Sequence, residues 1–223
     1  MSVSTLRRAA FFDVDGTLTR TTTMFDLVHF DAAERGQPAD AVQFLHGLRR
    51  MQLEDGVPRA TANRHYFAWW QGRSPDALRG LIARWLAARP ASYFHAAVLA
   101  KLHMHRVRGD AIVLVSGSVP ALLVALADEL GADHVLATNM LVDCGVFTGA
   151  IDGPMIEDRK TDAVHKLAAD CGLDLAGSSA YGDHTSDVPF LELTGDPVIC
   201  STPGTAEWKV AENRGWDRVL LDG

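Results

Sequence analysis

Cysteine is scarce in this chain of 223 residues, and its three cysteines stand far apart. Cys144, Cys171 and Cys200 form no closely spaced pair. An odd number of separated cysteines argues against a disulfide framework and against a thiolate metal site. We therefore expect a protein of a reducing compartment, whose stability depends on a buried apolar core.

Long apolar runs are also lacking. The longest, such as residues 111–115 and 121–127, fall well short of the roughly 18–20 residues that cross a bilayer. The four apolar residues 9–12 that follow two arginines are too few for the core of a signal peptide. We expect a cytoplasmic protein with no membrane partner.

Basic residues are fewer than acidic ones: the chain has 21 Lys and Arg residues and 28 Asp and Glu residues, which gives a formal net charge of −7. This balance argues against nucleic acid as the main partner. The distribution is uneven: residues 1–110 carry 15 basic and 10 acidic side chains, whereas residues 111–223 carry 6 and 18. Two interpretations stay open here, namely ordinary helix-surface charge and a basic segment that faces an anionic ligand.

The order of strand-like and helix-like segments predicts an α/β fold. With 48% apolar and 22% charged residues the chain has a globular composition. Residues 9–14 form an apolar strand-like run, and from residue 111 onward short apolar strands alternate with helices. This alternation is typical of a doubly wound, Rossmann-like parallel sheet, with functional sites at the carboxyl ends of its strands.

A long insertion interrupts this pattern after the first strand. About 95 residues separate the first two strands, whereas a βα unit needs roughly 30. Residues 21–90 show four helical stretches, each followed by Gly or Pro, over residues 24–35, 39–54, 59–71 and 75–88. We predict a catalytic core of residues 1–20 and 91–223, and a separate helical bundle of residues 21–90, called the insertion below.

The first candidate site follows the first predicted strand. Asp13 and Asp15 are two carboxylates separated by one residue at a strand end, where they repel each other unless a cation or a reaction uses them. Gly16 and Thr17 allow a tight turn and supply a hydroxyl and backbone N–H groups. An ordinary turn with exposed acids is the alternative interpretation.

Two further candidates lie at the starts of helices. Ser116 and Gly117 end the second core strand just before a helix, where a hydroxyl and free N–H groups can bind an anion. Lys160 begins a helix and so opposes its dipole, which hints at a separate task. Helix capping and a solvated lysine are the respective alternatives.

A second group of acids follows a later strand. Asp183 and Asp187 are four residues apart and share one face where the next helix begins, with His184 between them. Strand-end carboxylates facing Asp13 would form the hard oxygen site that Mg²⁺ prefers. Helix capping by Asp, Thr and Ser is the alternative.

Together these segments resemble a known signature. The set F-F-D-V-D-G-T-L-T, L-V-S-G-S, Lys160 and Y-G-D-H-T-S-D is similar to the four motifs of the haloacid dehalogenase superfamily of phosphatases. The insertion resembles the C1-type helical cap of the branch that contains phosphoserine phosphatase. The resemblance implies a Mg²⁺-dependent phosphatase that hydrolyses a small-molecule phosphate monoester.

The resemblance also implies roles for the motif residues. Asp13 would be the nucleophile that forms an aspartyl-phosphate, and Asp15 the general acid and then base. Mg²⁺ would be held by the carboxylates of Asp13 and Asp183 and by the backbone carbonyl of Asp15. The remaining implied roles are phosphate binding by Ser116, Gly117 and Lys160, and support of the metal site by Asp187 and Thr17.

The substrate is less well defined by the sequence. Phosphoserine phosphatases place a glutamate shortly after the first motif to bind the substrate amine, whereas residues 19–23 here read Thr-Arg-Thr-Thr-Thr. This difference disfavours phosphoserine and suits a sugar, a polyol or a second anionic group. The candidate substrate contacts are Arg20, Arg49, Arg50 and His184.

Two other functions stay open at this stage. One is a phosphotransferase or sugar phosphomutase that uses the same aspartyl-phosphate. The other is a binding protein that keeps the fold without turnover. The oligomeric state cannot be deduced from the sequence.

Overall fold

A six-stranded parallel sheet forms the centre of the molecule. A computed structural model describes residues 6–221, and its sheet has the strand order β3-β2-β1-β6-β7-β8. The predicted α/β fold with a doubly wound parallel sheet is confirmed. The strands are β1 Ala9–Asp13, β2 Ala111–Val115, β3 His134–Leu136, β6 Ser179–Gly182, β7 Asp196–Ser201 and β8 Asp217–Leu220.

Alternating side chains of β1 enter two separate cores, one on each face of the sheet. Ala10 and Phe12 belong to a cluster that also contains residues of the insertion, whereas Ala9 and Phe11 belong to a cluster on the opposite face. Successive side chains of a strand point to opposite faces, so a strand covered on both sides must be apolar throughout. This explains why β1 and β2 are continuous apolar runs.

Nine helices of the described chain cover the sheet and form the insertion. Proline occupies the first turn of α2, α4 and α6, as expected for a residue that lacks an N–H. A hairpin of β4 Met140–Asp143 and β5 Val146–Ile151 lies apart from the main sheet. The helices are α1 Thr23–Glu34, α2 Pro38–Leu53, α3 Arg59–Tyr66, α4 Pro75–Ala88, α5 Ala96–Arg108, α6 Pro120–Leu130, α7 Asp158–Cys171, α8 Val188–Leu191 and α9 Ala206–Arg214.

The third helix of the insertion is shorter than the sequence pattern indicates. A single helix over residues 59–71 is predicted, but α3 ends at Tyr66 and continues as a 3-10 turn over Phe67–Trp70. Phe67 and Trp70 are both fully buried and the ring of Tyr66 lies edge-on to each of them. The tighter turn keeps these three aromatic rings in one core. Helix propensities alone do not predict this change from an α-helix to a 3-10 turn.

The insertion and the sheet share apolar packing. Trp70 of the insertion and Leu126 of α6 lie in the same buried cluster as Phe12 of β1. The exact division between core and insertion, after residue 20 and before residue 91, stays a prediction. Within the described residues no helix is long and apolar enough to cross a membrane.

A buried carboxylate ties the helices of the insertion together. Asp31 of α1 is almost fully buried and accepts hydrogen bonds from Trp69 Nε1 at 2.8 Å and Arg73 Nη2 at 2.8 Å. Arg35 lies 3.0 Å from the same carboxylate. Two arginines and an indole offset the cost of burying one negative charge.

We expect Leu123→Ala in α6 to lower the free energy of unfolding by about 2–5 kcal/mol, because it opens a cavity in a packed core. Leu123 is fully buried, whereas its neighbour Val124 is 50% exposed. Urea unfolding of both variants measures the difference, and Val124→Ala is the matched control. A loss below about 1 kcal/mol for Leu123→Ala would contradict this packing.

Candidate active site

The topology brings three of the predicted motifs to one edge of the sheet. Asp13 pairs with Val115 in the β1–β2 register, so that Ser116 follows directly beside it. On the other side Phe12 pairs with Tyr181, and Asp183 follows two residues later. The chain leaves β1 toward β2 and β3 and later returns to β6 on the opposite side. The site therefore lies at the switch point of the sheet.

The loop after β1 is shaped to approach Asp183. Gly16 has a φ of 91°, and a Cβ at this position would lie 2.4 Å from Asp183 Oδ2. Only glycine combines this backbone conformation with so close an approach. The next residue, Thr17, donates its hydroxyl to Asp183 Oδ1 at 2.9 Å and to Asp13 Oδ2 at 3.2 Å.

Lys160 is buried between two carboxylates. Its ammonium lies 2.5 Å from Asp13 Oδ1 and 2.7 Å from Asp187 Oδ1, and only 4% of the residue is exposed. Burial alone would lower the pKa of Lys160, but the charges of Asp13 and Asp187 outweigh it and raise the pKa. The lysine is therefore a fixed positive charge inside the site.

The surroundings of Asp13 disfavour the ionised form of its carboxyl group. Burial raises its pKa well above the ordinary value, and the charges of Asp187, Asp183 and Asp15 raise it further, although Lys160 opposes them. Burial and the charge of Asp187 likewise raise the pKa of Asp183 to about 6. Such a concentration of negative charge is typical of a site that uses an additional cation.

The donor set of this cluster suits Mg²⁺. Asp13, Asp183 and Asp187 each offer one carboxylate oxygen, and these atoms all lie within 4.8 Å of one another. Hard oxygen ligands and a surplus of negative charge are what Mg²⁺ requires. The side chain of Asp15 is not part of this cluster, and its predicted metal contact is through the backbone carbonyl. That contact stays a prediction.

Asp15 is held on the other side of the site. Its carboxylate accepts hydrogen bonds from the Thr23 backbone N–H at 2.6 Å and from Ser116 Oγ at 2.9 Å. Burial raises its pKa, although these hydrogen bonds oppose the shift. The hydroxyl of Ser116 also accepts a hydrogen bond from Ser118 N at 3.0 Å. Asp15 thus joins the core to the start of the insertion.

The four acids, Ser116 and Lys160 border one cavity of about 530 Å³ between the sheet edge and the insertion. We call the lining residues from the core its floor and those of residues 21–90 its roof. The predicted site residues on the floor are Asp13, Asp15, Ser116, Gly117, Lys160, Asp183, His184 and Asp187.

Three predicted substrate contacts do not line this cavity. On α2 the cavity is lined by Leu48 and Gln52, which are one turn apart, whereas Arg49 and Arg50 lie on the exposed faces between them. Arg20 precedes the roof residues, and its backbone N–H bonds to the Tyr93 carbonyl. The structure therefore does not place Arg20, Arg49 or Arg50 in the candidate site.

Arg59 lines the roof and is missing from the sequence prediction. Its Nη1 lies 3.2 Å from His184 Nδ1 and 2.5 Å from Ser186 Oγ, so the insertion reaches across the cavity to the loop after β6. Arg59 begins α3 directly after Pro58, where a basic residue opposes the helix dipole. The same signal singled out Lys160 and could have identified Arg59.

We expect Lys160→Met to lower the free energy of unfolding by about 3 kcal/mol in metal-free buffer, because it leaves two buried carboxylates without their cation. Lys166→Met on the same helix is the control, because Lys166 is 76% exposed and its pair with Asp170 is worth little. Urea unfolding after chelation compares the two variants. Equal stability of both would show that the buried pair is not needed.

The comparisons with known proteins agree with this geometry. The family model of haloacid dehalogenase-like hydrolases matches residues 10–192. The chain is 33% identical to the "Inhibition of morphological differentiation protein" of Streptomyces azureus over 94% of this chain and 77% of that protein. It is 31% identical to "Phosphoserine phosphatase SerB1" of Mycobacterium tuberculosis over 95% and 70%.

A solved structure is similar over almost its whole length. The chain superimposes on a protein of unknown function from Bordetella pertussis Tohama I with a TM-score of 0.87 and 26% sequence identity, covering 98% of this chain and 99% of that one. The predicted family is confirmed. The chain belongs to the haloacid dehalogenase-like hydrolases, and its relationship to phosphoserine phosphatases makes it a phosphoric monoester hydrolase.

Proposed function

We propose that the protein is a Mg²⁺-dependent phosphatase that hydrolyses a small-molecule phosphate monoester through an aspartyl-phosphate on Asp13. The observation that carries this proposal is the arrangement of Asp13 and Asp15 at one cavity. Asp13 is held by Lys160, and Asp15 is held separately by Thr23 and Ser116. Two carboxyl groups in different environments can take two different roles in catalysis.

Asp13 is the proposed nucleophile. A carboxylate oxygen of Asp13 attacks phosphorus, and the bond between phosphorus and the ester oxygen breaks. Lys160 favours the ionised form of Asp13 and so opposes the effect of burial, and it lies where it can also offset charge on the phosphoryl oxygens. Ser116 and the backbone of Gly117 border the same cavity and are the proposed additional donors to those oxygens.

Asp15 is the proposed proton carrier. Burial raises its pKa, which favours the protonated form that can donate to the departing alcohol oxygen. In the second step the Asp15 carboxylate takes a proton from the water whose oxygen attacks the phosphorus of the aspartyl-phosphate. The P–O bond to Asp13 then breaks, which returns both carboxyl groups to their initial states.

The carboxylates of Asp13 and Asp183 and the backbone carbonyl of Asp15 are the proposed ligands of Mg²⁺, and Asp187, which lies in the same cluster, is proposed to support the site. When bound, Mg²⁺ supplies positive charge that lets an anionic phosphate approach the carboxylates. Thr17 orients two of these acids, because its hydroxyl bonds to both Asp13 and Asp183. Such supporting hydrogen bonds typically tune metal affinity.

We expect Asp13→Asn to reduce the turnover of phosphate monoesters by about a thousandfold or more, because an amide oxygen is a poor nucleophile. Phosphate release from a panel of monoesters, with Mg²⁺ present, measures the loss. The wild type should also carry a hydroxylamine-sensitive phosphoryl group after a quench with ³²P-labelled substrate, and the variant should not.

Asp170→Asn serves as the control for this variant, because Asp170 is an exposed residue of α7 that pairs with Lys166. It should retain wild-type turnover. If Asp13→Asn keeps more than a few per cent of the activity, Asp13 is not the nucleophile. If the label is transferred to an added alcohol and none appears as inorganic phosphate, the protein is a phosphotransferase instead.

We expect removal of divalent ions to abolish turnover and added Mg²⁺ to restore it. Asp183→Asn should raise the Mg²⁺ concentration for half-maximal turnover by about tenfold or more, because it removes one negative ligand. Titration of the chelated enzyme with Mg²⁺ measures this shift, and Asp217→Asn on exposed β8 is the control. Full turnover in chelator would refute the metal requirement.

A further inference from the structure

The roof of the cavity differs sharply from its floor in polarity. The floor carries four carboxylates and one lysine, whereas most of the roof is apolar. The hydroxyl of Tyr66 donates to the Met24 carbonyl at 2.9 Å, so the part of Tyr66 that is left for a ligand is its ring. The apolar roof residues are Met24, Phe25, Leu48, Val57, Ala62 and Tyr66.

Among the described residues that form the roof, none is acidic. The nearest acids of α1 are engaged elsewhere. The carboxylate of Asp26 is bonded by Tyr93 and Thr21, and that of Asp31 by Trp69 and Arg73. The one basic residue of the roof is Arg59. An ammonium group on the alcohol part of a substrate would therefore lose its hydration without gaining a counter-charge there.

The floor acids do not provide that counter-charge either. Asp13 and Asp187 share Lys160, and Asp15 is bonded by Thr23 and Ser116. Asp183 accepts from Thr17 and belongs to the cluster that suits Mg²⁺. In the proposed mechanism these charges serve the phosphoryl group and the metal site, so none is left for the far end of the alcohol.

One polar side chain of the roof has an acceptor atom without a hydrogen-bond partner in the part of the chain that the structure describes. Asn63 lies against Gly117, since a Cβ on that glycine would be 3.3 Å from Asn63 Nδ2. The Asn63 Oδ1 atom is buried and has no hydrogen-bond partner among the described residues. An unsatisfied buried acceptor beside the site favours a ligand with a neutral donor, such as a hydroxyl.

We infer that the cavity selects phosphate monoesters of largely apolar alcohols that carry no ammonium group and that offer a hydroxyl to Asn63. The inference rests on the proposed phosphatase function and adds the chemical class of its substrate. It also predicts that phosphoserine, the substrate named for one relative, is a poor substrate here.

Three nearly isosteric esters test this inference: propyl phosphate, 2-hydroxyethyl phosphate and 2-aminoethyl phosphate, with p-nitrophenyl phosphate as a general reporter of phosphatase activity. The wild-type kcat/KM for the first two should exceed that for the aminoethyl ester at least tenfold. Asn63→Leu should lower the ratio of kcat/KM for the hydroxyethyl ester to that for propyl phosphate severalfold, because only the hydroxyethyl ester offers a hydroxyl to Asn63.

Gln52→Glu tests the role of roof charge, because Gln52 lines the roof and the change adds a carboxylate without altering the shape of the side chain. It should raise the ratio of kcat/KM for the aminoethyl ester to that for the propyl ester by about tenfold. Gln43→Glu makes the same change at an exposed position of the same helix and should leave the ratio unchanged.

The outcomes separate this inference from the function on which it rests. If the aminoethyl ester equals or exceeds propyl phosphate, or if Gln43→Glu acts as strongly as Gln52→Glu, the substrate class is wrong and the phosphatase function stands. Turnover of p-nitrophenyl phosphate alone also overturns the substrate class. If no ester releases phosphate, the proposed function fails and the inference fails with it.

Discussion

The ammonium of Lys160 between Asp13 and Asp187 is the contact on which the rest of the site depends. Four carboxylates gather at one edge of the sheet, and burial raises the pKa of three of them, Asp13, Asp15 and Asp183. One fixed lysine offsets part of this charge and leaves the remainder for a metal ion and for proton transfer. The site therefore keeps an excess of negative charge, which is typical of a site that uses a further cation.

The apolar strands make this imbalance possible. Residues of β1 and β2 pack into a core on each face of the sheet, and this packing fixes the carboxyl ends of the two strands. Polar groups that follow these strand ends are therefore held in fixed positions. The close turn at Gly16 then brings the loop after β1 against Asp183. Side chains at the end of a packed sheet are held in a more precise geometry than side chains on a mobile loop.

The floor of the site could be anticipated from the sequence, whereas the roof could not. Asp13, Ser116 and Asp183 follow strands whose apolar runs are unmistakable, and parallel strands must align their carboxyl ends. No comparable rule aligns the helices of the insertion. Which face of α2 meets the cavity depends on its rotation, and a rotation of about 100° per residue separates Leu48 from Arg49. Whether an arginine of α2 reaches the cavity therefore depends on tertiary packing, and Arg49 and Arg50 do not line it.

The excess of basic over acidic residues in residues 1–110 is partly explained by ion pairs that stabilise the structure. Arg73 and Arg35 neutralise buried Asp31, Arg84 pairs with Glu34, and Arg89 pairs with Glu129 of α6. These arginines hold the insertion together and against the core, which leaves Arg59 as the basic residue of the roof. Among the described residues, positive charge on the roof is thus limited to one guanidinium, which bridges to His184 and Ser186. The insertion contributes to this site mainly through shape and apolar surface, and the core supplies the charge.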